Sequence, residues 1–397
     1  MVYLDHNATS PLRPGVGEAL ARASAELLGN PSSVHAAGRL ARNAVERARV
    51  RVAAFVGALR EEIVFTSGGT EGDNLAIRGL AQAAAARGRR HVITSGLEHP
   101  AVTGAVAALA ETGFTVTRLP VSSDGALSVA ALEAALRDDT GLVSLALANH
   151  ELGNVYPVAA LAAAAHARGA LFHTDAVQAA GKVALDLPGL GVDAATLSAH
   201  KIGGPKAVGA VFVRRGLELP PLLAGGHQEH ERRPGTENVA GIVGFGVACE
   251  LADAAREVEA AHVRALRRRL ESALLAIPDA RIFGAAADAR LPGTTLVGFA
   301  GAPGQLLAIG LDLEGICVST GAACTSGSLE PSPVLLALGV GPDVAAEGVR
   351  VSLGWNTTEP DVDALLAVLP GIVARVRAAG IEPAGASITG AASLGGA

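Results

Sequence analysis

The sequence predicts an α/β fold, with a large domain built on a mostly parallel central sheet flanked by helices and a smaller C-terminal α/β domain. From residue 62 onward, short apolar segments typical of strands alternate with longer helical patterns. Polar clusters follow several of these segments, at the strand ends where open α/β sheets bind ligands. The length of 397 residues also exceeds what one small core requires.

The N-terminal part is expected to hold an extended segment, two helices and the strands of the large sheet. The extended segment covers residues 1–14, and the two helices cover 16–28 and 36–56. Strands are predicted at 63–66, 91–94, 115–119, 142–148, 170–173, 194–197 and 208–213.

A long helical stretch over 238–276, expected to be bent or broken, leads into the second α/β set. That set has predicted strands at 294–299, 316–320 and 348–353, and helices at 305–311, 332–338 and 360–379. We therefore place the large domain at 14–255 and the small domain at 1–13 and 256–380. Residues 381–397 are rich in Gly, Ala and Ser, which predicts a flexible tail.

Composition narrows the function classes. The net charge is −6, the Arg residues are spread out and aromatics are few, so nothing resembles a nucleic-acid footprint. No uncharged apolar stretch is long enough to span a bilayer, and the first residues lack signal-peptide features, so we expect a cytoplasmic protein with no membrane partner. The three cysteines form no C-x-x-C, which argues against disulfides and a stable metal site. We expect Cys249 and Cys317 to be buried.

The chemistry begins at Lys201, which follows the predicted strand 194–197 through Ser198, Ala199 and His200 and precedes a Gly-Gly-Pro turn. The chain has only three lysines, and an amine at a strand end can form a Schiff base with an aldehyde. The alternative is a surface lysine in a loop. We expect the other two, Lys182 and Lys206, to lie outside the chemistry.

Two further strand ends carry candidate ligand groups. Gly69 and Thr70 lie in a run of small residues that opens a helix, where backbone N–H groups can bind a phosphate. An ordinary capped turn is the alternative. His99 follows the strand at 91–94 and can stack on a flat ring and shuttle protons, or it can be a structural residue at a helix start.

Acidic, amide and basic side chains are also predicted at the same edge of the sheet. Asp175 ends a buried strand and can pair with a protonated pyridine nitrogen, with Gln178 donating to a ring oxygen; a helix cap is the alternative for Asp175. Asn149 closes the preceding strand. Arg350 lies in an apolar strand and needs an anionic partner, either a substrate carboxylate or an internal acid.

Two loops stand out by composition. Cys324 lies in a Gly- and Ser-rich loop, and its mobile, polar neighbours are those that a reactive thiol requires, although most free cysteines are small buried hydrophobes. The segment 225–238 is polar and charged, which is typical either of a subunit boundary or of a solvated loop.

Together these stretches resemble the fold-type-I pyridoxal-phosphate (PLP) enzymes and, among them, the cysteine desulfurases. The resemblance runs from Tyr3 to Glu359 and is most specific at 198–206, at 225–238 and around Cys324 with Leu329-Glu330-Pro331. It implies a PLP-dependent transferase fold, and it leans toward the nitrogen-fixation and iron–sulfur-assembly type.

The resemblance assigns a role to each candidate residue. Lys201 would hold PLP and move the Cα proton of the substrate, and Cys324 would attack the sulfur of L-cysteine, leaving alanine and a persulfide. Asp175 would pair with the ring nitrogen, Gln178 would bond the ring hydroxyl, and His99 would stack on the ring and act as a base. The phosphate and its surroundings would be bound by Gly69, Thr70, Ser198, Ala199 and His200, with Thr236 supplied by the second subunit of a homodimer. The substrate would be bound by Asn149 and Arg350, the latter through the carboxylate.

The implied partners are L-cysteine and a sulfur-acceptor or iron–sulfur scaffold protein. Cys324 would contact an iron–sulfur cluster only transiently, and a role in tRNA thiolation would be indirect. Two positions depart from the family pattern: His150 stands where a second Asn is common, and Trp355-Asn356 replaces a basic-aromatic pair. The alternatives are a selenocysteine lyase, a PLP transaminase, which would not need Cys324, and a non-catalytic interaction protein.

Overall fold

The computed structural model of the chain describes residues 1–321 and 331–380. It begins with a short strand, β1 (Val2–Tyr3), followed by two helices, α1 (Pro14–Glu26) and α2 (Ala36–Phe55). The second helix matches the predicted range 36–56 to within one residue, because its apolar positions recur at helical spacing between arginines. Within the described residues, no helix is long and apolar enough to cross a membrane.

Across the described residues, seven strands form the large sheet. They are β2 (Ile63–Thr66), β3 (His91–Ser95), β4 (Thr115–Leu119), β5 (Thr140–Ser144), β6 (Leu171–Asp175), β7 (Ala194–Ser198) and β8 (Gly209–Val213). Their order is β2-β8-β7-β6-β5-β3-β4. Only β8 runs antiparallel to its neighbours, so the prediction of a mostly parallel sheet is confirmed.

Helices cover both faces of this sheet, and a hydrophobic core lies on each face. The helices that follow its strands are α3 (Gly69–Ala85), α4 (Pro100–Glu111), α5 (Val129–Ala135) and α6 (Val158–Ala167). Leu75 and Leu80 of α3 share one core with Val102 of α4. The other core includes Val45 of α2 and Leu161 of α6. This is the two-sided layering that parallel strands require.

The second part of the chain forms a smaller antiparallel sheet with its own core. It contains α7 (Val239–Leu274), β9 (Ala280–Phe283), β10 (Thr294–Phe299), α8 (Gly304–Leu313), β11 (Ile316–Cys317), β12 (Ser319–Thr320), α9 (Pro333–Ala337), α10 (Pro342–Ala346), β13 (Val349–Ser352) and α11 (Glu359–Ala378). The sheet order is β12-β13-β10-β9. The core includes Leu4, Val263 and Leu365, and β1 pairs with β11. These contacts support the proposed small domain of residues 1–13 and 256–380.

Four sequence predictions differ from the structure. The stretch 238–276 is the single continuous helix α7, whose first half packs into the large core through Phe245 and whose second half packs into the small core through Leu270. The strand predicted at 142–148 spans Thr140–Ser144 instead. The strand predicted at 316–320 is two short strands in different sheets. Cys317 is half-buried rather than buried, whereas Cys249 is buried as expected.

A buried ion pair anchors the segment 225–238 to the large sheet. The guanidinium of Arg49 donates to both oxygens of Glu229 at 2.7 and 2.8 Å, and the N–H of Phe65 donates to the same carboxylate at 2.7 Å. Glu229, His230 and Glu231 have φ angles of 49, 59 and 65°, which are costly for residues with side chains. The ion pair and its backbone donor therefore hold a strained turn in place.

We predict that Arg49→Ala destabilises the fold by about 3–5 kcal/mol, because it leaves the carboxylate of Glu229 buried without its cation. The matched control is Arg51→Ala on the same helix. Its partner Glu250 is more than half exposed, so the loss should stay below about 1 kcal/mol. Chemical denaturation of both variants measures the difference, and equal losses would contradict the anchoring role of Arg49.

Candidate active site

A cavity of about 210 Å³ lies at the carboxyl ends of β3, β5, β6 and β7, the edge at which the sequence predicts ligand binding. Most of the predicted site residues line it together. They are Gly69, Thr70, His99, Asp175, Gln178, Ser198, His200 and Lys201. The buried residue Ala199 joins Ser198 to Lys201 in the turn that follows β7.

One end of the cavity collects hydrogen-bond donors. Strand β7 ends at Ser198, whose Oγ is buried and has no hydrogen-bond partner. Helix α3 begins beside it at Gly69, and the first N–H groups of a helix have no acceptor within the helix and carry partial positive charge. His200 donates to or accepts from the Oγ1 of Thr9 at 3.1 Å, and burial lowers its pKa to about 4. This corner therefore favours an anion.

Lys201 is held against the N-terminal segment of the chain. Its Nζ donates to the backbone oxygens of Asn7 at 2.6 Å and of Ala8 at 2.7 Å. These residues are more than 190 positions away in sequence, and the amine nevertheless lines the cavity. The structure thus places the predicted amine at the cavity and gives it contacts that no local pattern indicates.

Two buried acids lie side by side under the cavity. The Oδ1 of Asp175 accepts the N–H of Val177 at 2.9 Å, so the turn-capping alternative is also realised, and its carboxyl still lines the cavity. Asp73 is buried, and its Oδ1 has no hydrogen-bond partner among the described residues, although the Nε2 of His173 lies 3.7 Å away. Burial and the charge of Asp175 raise the pKa of Asp73 well above its ordinary value, which favours its neutral form beside Asp175. Sequence reasoning gave Asp73 no role.

The geometry of His99 assigns its proton. Its Nδ1 caps α4 by accepting the N–H of Ala101 at 3.1 Å, so the neutral ring carries its proton on Nε2. Burial lowers the pKa of His99, opposed by Asp175 and assisted by the charges of Lys201 and Arg350. The side chain therefore offers a donor, and acting as a base at Nε2 would require a change of tautomer. The ring of His150 meets it edge-on at 5.4 Å.

Arg350, on β13, does not itself line the cavity but contacts the backbone of His150, which does. Its Nη2 pairs with Asp5 at 3.0 Å, and its Nη1 donates to the backbone oxygen of His150 at 3.1 Å. Its Nε is buried without a partner. The internal acid of the second alternative is therefore present, and N–H groups of the guanidinium, the Nε–H among them, are left for a further anion.

Asn149 and Thr236 are not among the residues that line the cavity. Asn149 is buried with its Oδ1 accepting the N–H groups of Glu151 and Leu152 and its Nδ2 donating to Leu97, so its predicted substrate contact finds no support in this geometry. Thr236 is exposed and lines a separate cavity beside Thr66. Cys324 lies outside the described residues, as does the predicted tail 381–397.

Comparison with known proteins places the chain in a family. A family model described as aminotransferase class-V matches residues 2–365. The chain belongs to the aminotransferase class-V family. This confirms the resemblance to this class of enzymes that the sequence shows from Tyr3 to Glu359.

Named relatives of this class-V chain are similar over nearly their whole length. A cysteine desulfurase of Cereibacter sphaeroides is 49% identical over 389 residues, covering 97% of this chain and 98% of the relative. A cysteine desulfurase of a Nostoc species is 48% identical over 379 residues, covering 95% and 94%. A solved structure of a NifS-like protein superposes with a TM-score of 0.88 at 37% identity, covering 94% of this chain and 99% of that one.

A third buried acid, Glu98, contacts the backbone of Ala146, which lines the cavity. Its carboxyl accepts the hydroxyl of Ser95 at 2.5 Å and the N–H of Ala146 at 2.9 Å. Burial and, after it, the charge of Asp175 raise the pKa of Glu98 to about 8, against the lowering effect of these two hydrogen bonds. The folded protein therefore holds a proton on Glu98 that the unfolded chain releases near pH 4.5.

We predict that this proton makes the fold less stable as pH rises from the unfolded pKa toward the folded pKa. Between pH 6 and 8 the contribution of Glu98 should fall by about 2 kcal/mol. The free energy of unfolding of Glu98→Gln, whose side chain stays neutral, should therefore fall by about 2 kcal/mol less than that of the wild type between pH 6 and 8. The exposed control Glu218→Gln should show the same pH dependence as the wild type. Denaturation at both pH values measures this, and identical pH slopes in all three proteins would contradict a protonated Glu98.

Proposed function

We propose that this chain is a cysteine desulfurase that works with PLP, converting L-cysteine to L-alanine and transferring the sulfur atom to Cys324. The observation that carries the proposal is the meeting of an amine, a buried acid and an anion-binding corner in one cavity. Family membership and the named relatives support the same activity.

The residues present fit PLP. The aldehyde of PLP needs an amine, its ring nitrogen needs an acid, and its phosphate needs donors, which are the parts offered by Lys201, Asp175 and the corner of Ser198 with the start of α3. The hydroxyl of Ser198 is buried without a partner, a state that an anion at that corner would relieve. When bound, PLP supplies a protonated ring that withdraws electrons from the bonds at the Cα of an amino acid.

The side chains of this chain divide the remaining work. The guanidinium of Arg350 binds the substrate carboxylate, because its buried Nε–H has no hydrogen-bond partner among the described residues and Nη1 and Nη2 each keep a hydrogen that the contacts with His150 and Asp5 do not use. Lys201 takes up and returns the proton at Cα from its position at the cavity wall. His99, with its proton on Nε2, donates a hydrogen bond into the cavity.

Cys324 accepts the sulfur. Its thiolate forms a bond to the substrate sulfur while the bond from that sulfur to Cβ breaks. The electron pair stays with Cβ, which takes a proton to give alanine, and a persulfide remains on Cys324. No oxidant is needed, because the S–S bond formed replaces the C–S bond broken. We propose that a sulfur-acceptor or iron–sulfur scaffold protein then receives this sulfur.

We further propose that the enzyme is a cytoplasmic homodimer in which Thr236 of one subunit serves the cavity of the other. In one chain Thr236 is exposed and away from the cavity, as a residue acting across a subunit boundary would be. Leu28, Val34 and Leu40 at the N-terminal helices are 83, 86 and 60% exposed, and a second subunit would cover such apolar side chains.

We predict that the protein reconstituted with PLP has a visible absorbance band and forms alanine from cysteine. Lys201→Ala should lose both, because no other described lysine lines the cavity. Cys324→Ala should keep the band and lose sulfide release. A side-by-side assay with selenocysteine separates a desulfurase from a selenocysteine lyase. Wild-type protein without a band, or Cys324→Ala with full sulfide release, would contradict the proposal.

A further inference from the structure

Lys182 has a buried amine that takes no part in the proposed chemistry. It follows Gln178 by four residues in the turns after β6, and its Nζ donates to the Oε1 of Gln178 at 2.7 Å and to the Oδ1 of Asn7 at 2.8 Å. The sequence analysis placed Lys182 outside the chemistry. The structure instead joins it to a side chain that lines the cavity.

These bonds determine which end of the Gln178 amide faces the cavity. A side-chain amide has a donor end and an acceptor end of nearly the same shape, so its neighbours must select the orientation. Lys182 occupies the acceptor end, and the Nε2 of Gln178 donates one hydrogen to the backbone oxygen of Asn7 at 2.9 Å. The second hydrogen of Nε2 remains for a group in the cavity.

Asn7 is oriented by the same amine. Its Oδ1 accepts from Lys182, and its Nδ2 donates to the backbone oxygen of His150 at 3.1 Å and to the Oγ1 of Thr294 at 2.9 Å. Lys182 thus orients the side-chain amides of both Asn7 and Gln178. The backbone oxygen of Asn7 also accepts a hydrogen bond from Gln178. Burial and the charges of Lys201 and Arg350 lower the pKa of Lys182, but an amine donates hydrogen bonds in both of its protonation states.

We propose that Lys182 is a positioning residue that holds the amide of Gln178 with its N–H toward the oxygen on the ring of the cofactor. The inference rests on the proposed function, since it requires PLP in the cavity. Without Lys182, the Oε1 of Gln178 loses its donor inside the protein, and the amide can turn so that its oxygen opposes the ring oxygen. Two facing acceptors repel, so the affinity for PLP falls.

The test measures the dissociation constant of PLP for the apo-protein by titration, separately from activity. Lys182→Met, which keeps the length of the side chain without donors, should bind PLP about tenfold more weakly. Lys182→Arg, which keeps donors, should restore most of that affinity. Lys206→Met makes the same substitution at an exposed residue in the turn of Lys201 and should bind as the wild type does. Equal weakening in the two Met variants would overturn the inference.

A double-mutant cycle separates positioning from general stability. In a Gln178→Ala background, Lys182→Met should cause no further loss of PLP affinity, because the amide it orients is gone. The same tenfold loss in both backgrounds would overturn the inference.

A variant with Lys182 intact keeps the test decisive if Lys182→Met does not fold. Gln178→Glu retains a partner for Lys182 but presents oxygen alone, so it should bind PLP at least as weakly as Gln178→Ala. Binding of Gln178→Glu at the wild-type level would overturn the inference. Failure of the wild type itself to bind PLP would instead contradict the proposed function, so the two failures are distinct.

Discussion

The hydrogen bonds of Asn7 connect the two halves of the molecule at the active-site cavity. Its N–H donates to the Oγ of Ser352 and its Nδ2 donates to Thr294, both in the small sheet. Its backbone oxygen accepts from Lys201 and Gln178, which lie in the turns that follow β7 and β6 of the large sheet. Leu4 lies in the small core just before it. The N-terminal segment is therefore part of the site. Through this segment, the position of the amine of Lys201 depends on strands that lie more than 90 residues after Lys201 in the sequence.

Electrostatics at the cavity follows from burial. The acids Asp73 and Glu98 lie close to Asp175, and low-dielectric surroundings allow few of these carboxyls to be ionised together. Burial also raises the pKa of Asp175, opposed by the charges of His99 and Lys201. These opposing charges favour the ionised form of Asp175, which is the form that can hold a cationic ring.

Local sequence patterns predicted the elements whose ends are marked by a change of residue type. The ranges 63–66, 115–119 and 294–299 agree with β2, β4 and β10, since short runs rich in β-branched residues end there at turn residues. The strand predicted at 142–148 ends at Ser144, and the buried apolar residues that follow keep backbone hydrogen bonds to β6 through the N–H groups of Leu145 and Leu147 without continuing the regular ladder. The site could be predicted where residues follow strand ends, as with Asp175 and Ser198. The contacts of Lys182 and Asn149 could not be predicted, because side-chain packing determines their partners and residue spacing does not report on it.

The transfer of one sulfur atom to Cys324 is the central claim of this account. Its most direct test is mass spectrometry of the PLP-loaded protein after a single turnover with L-cysteine in the absence of reductant. The account predicts that the peptide with Cys324 gains the mass of one sulfur atom, in step with the alanine formed, and that peptides with Cys249 and Cys317 do not. Alanine formation without added mass on Cys324, or with the added sulfur on another cysteine, would contradict it.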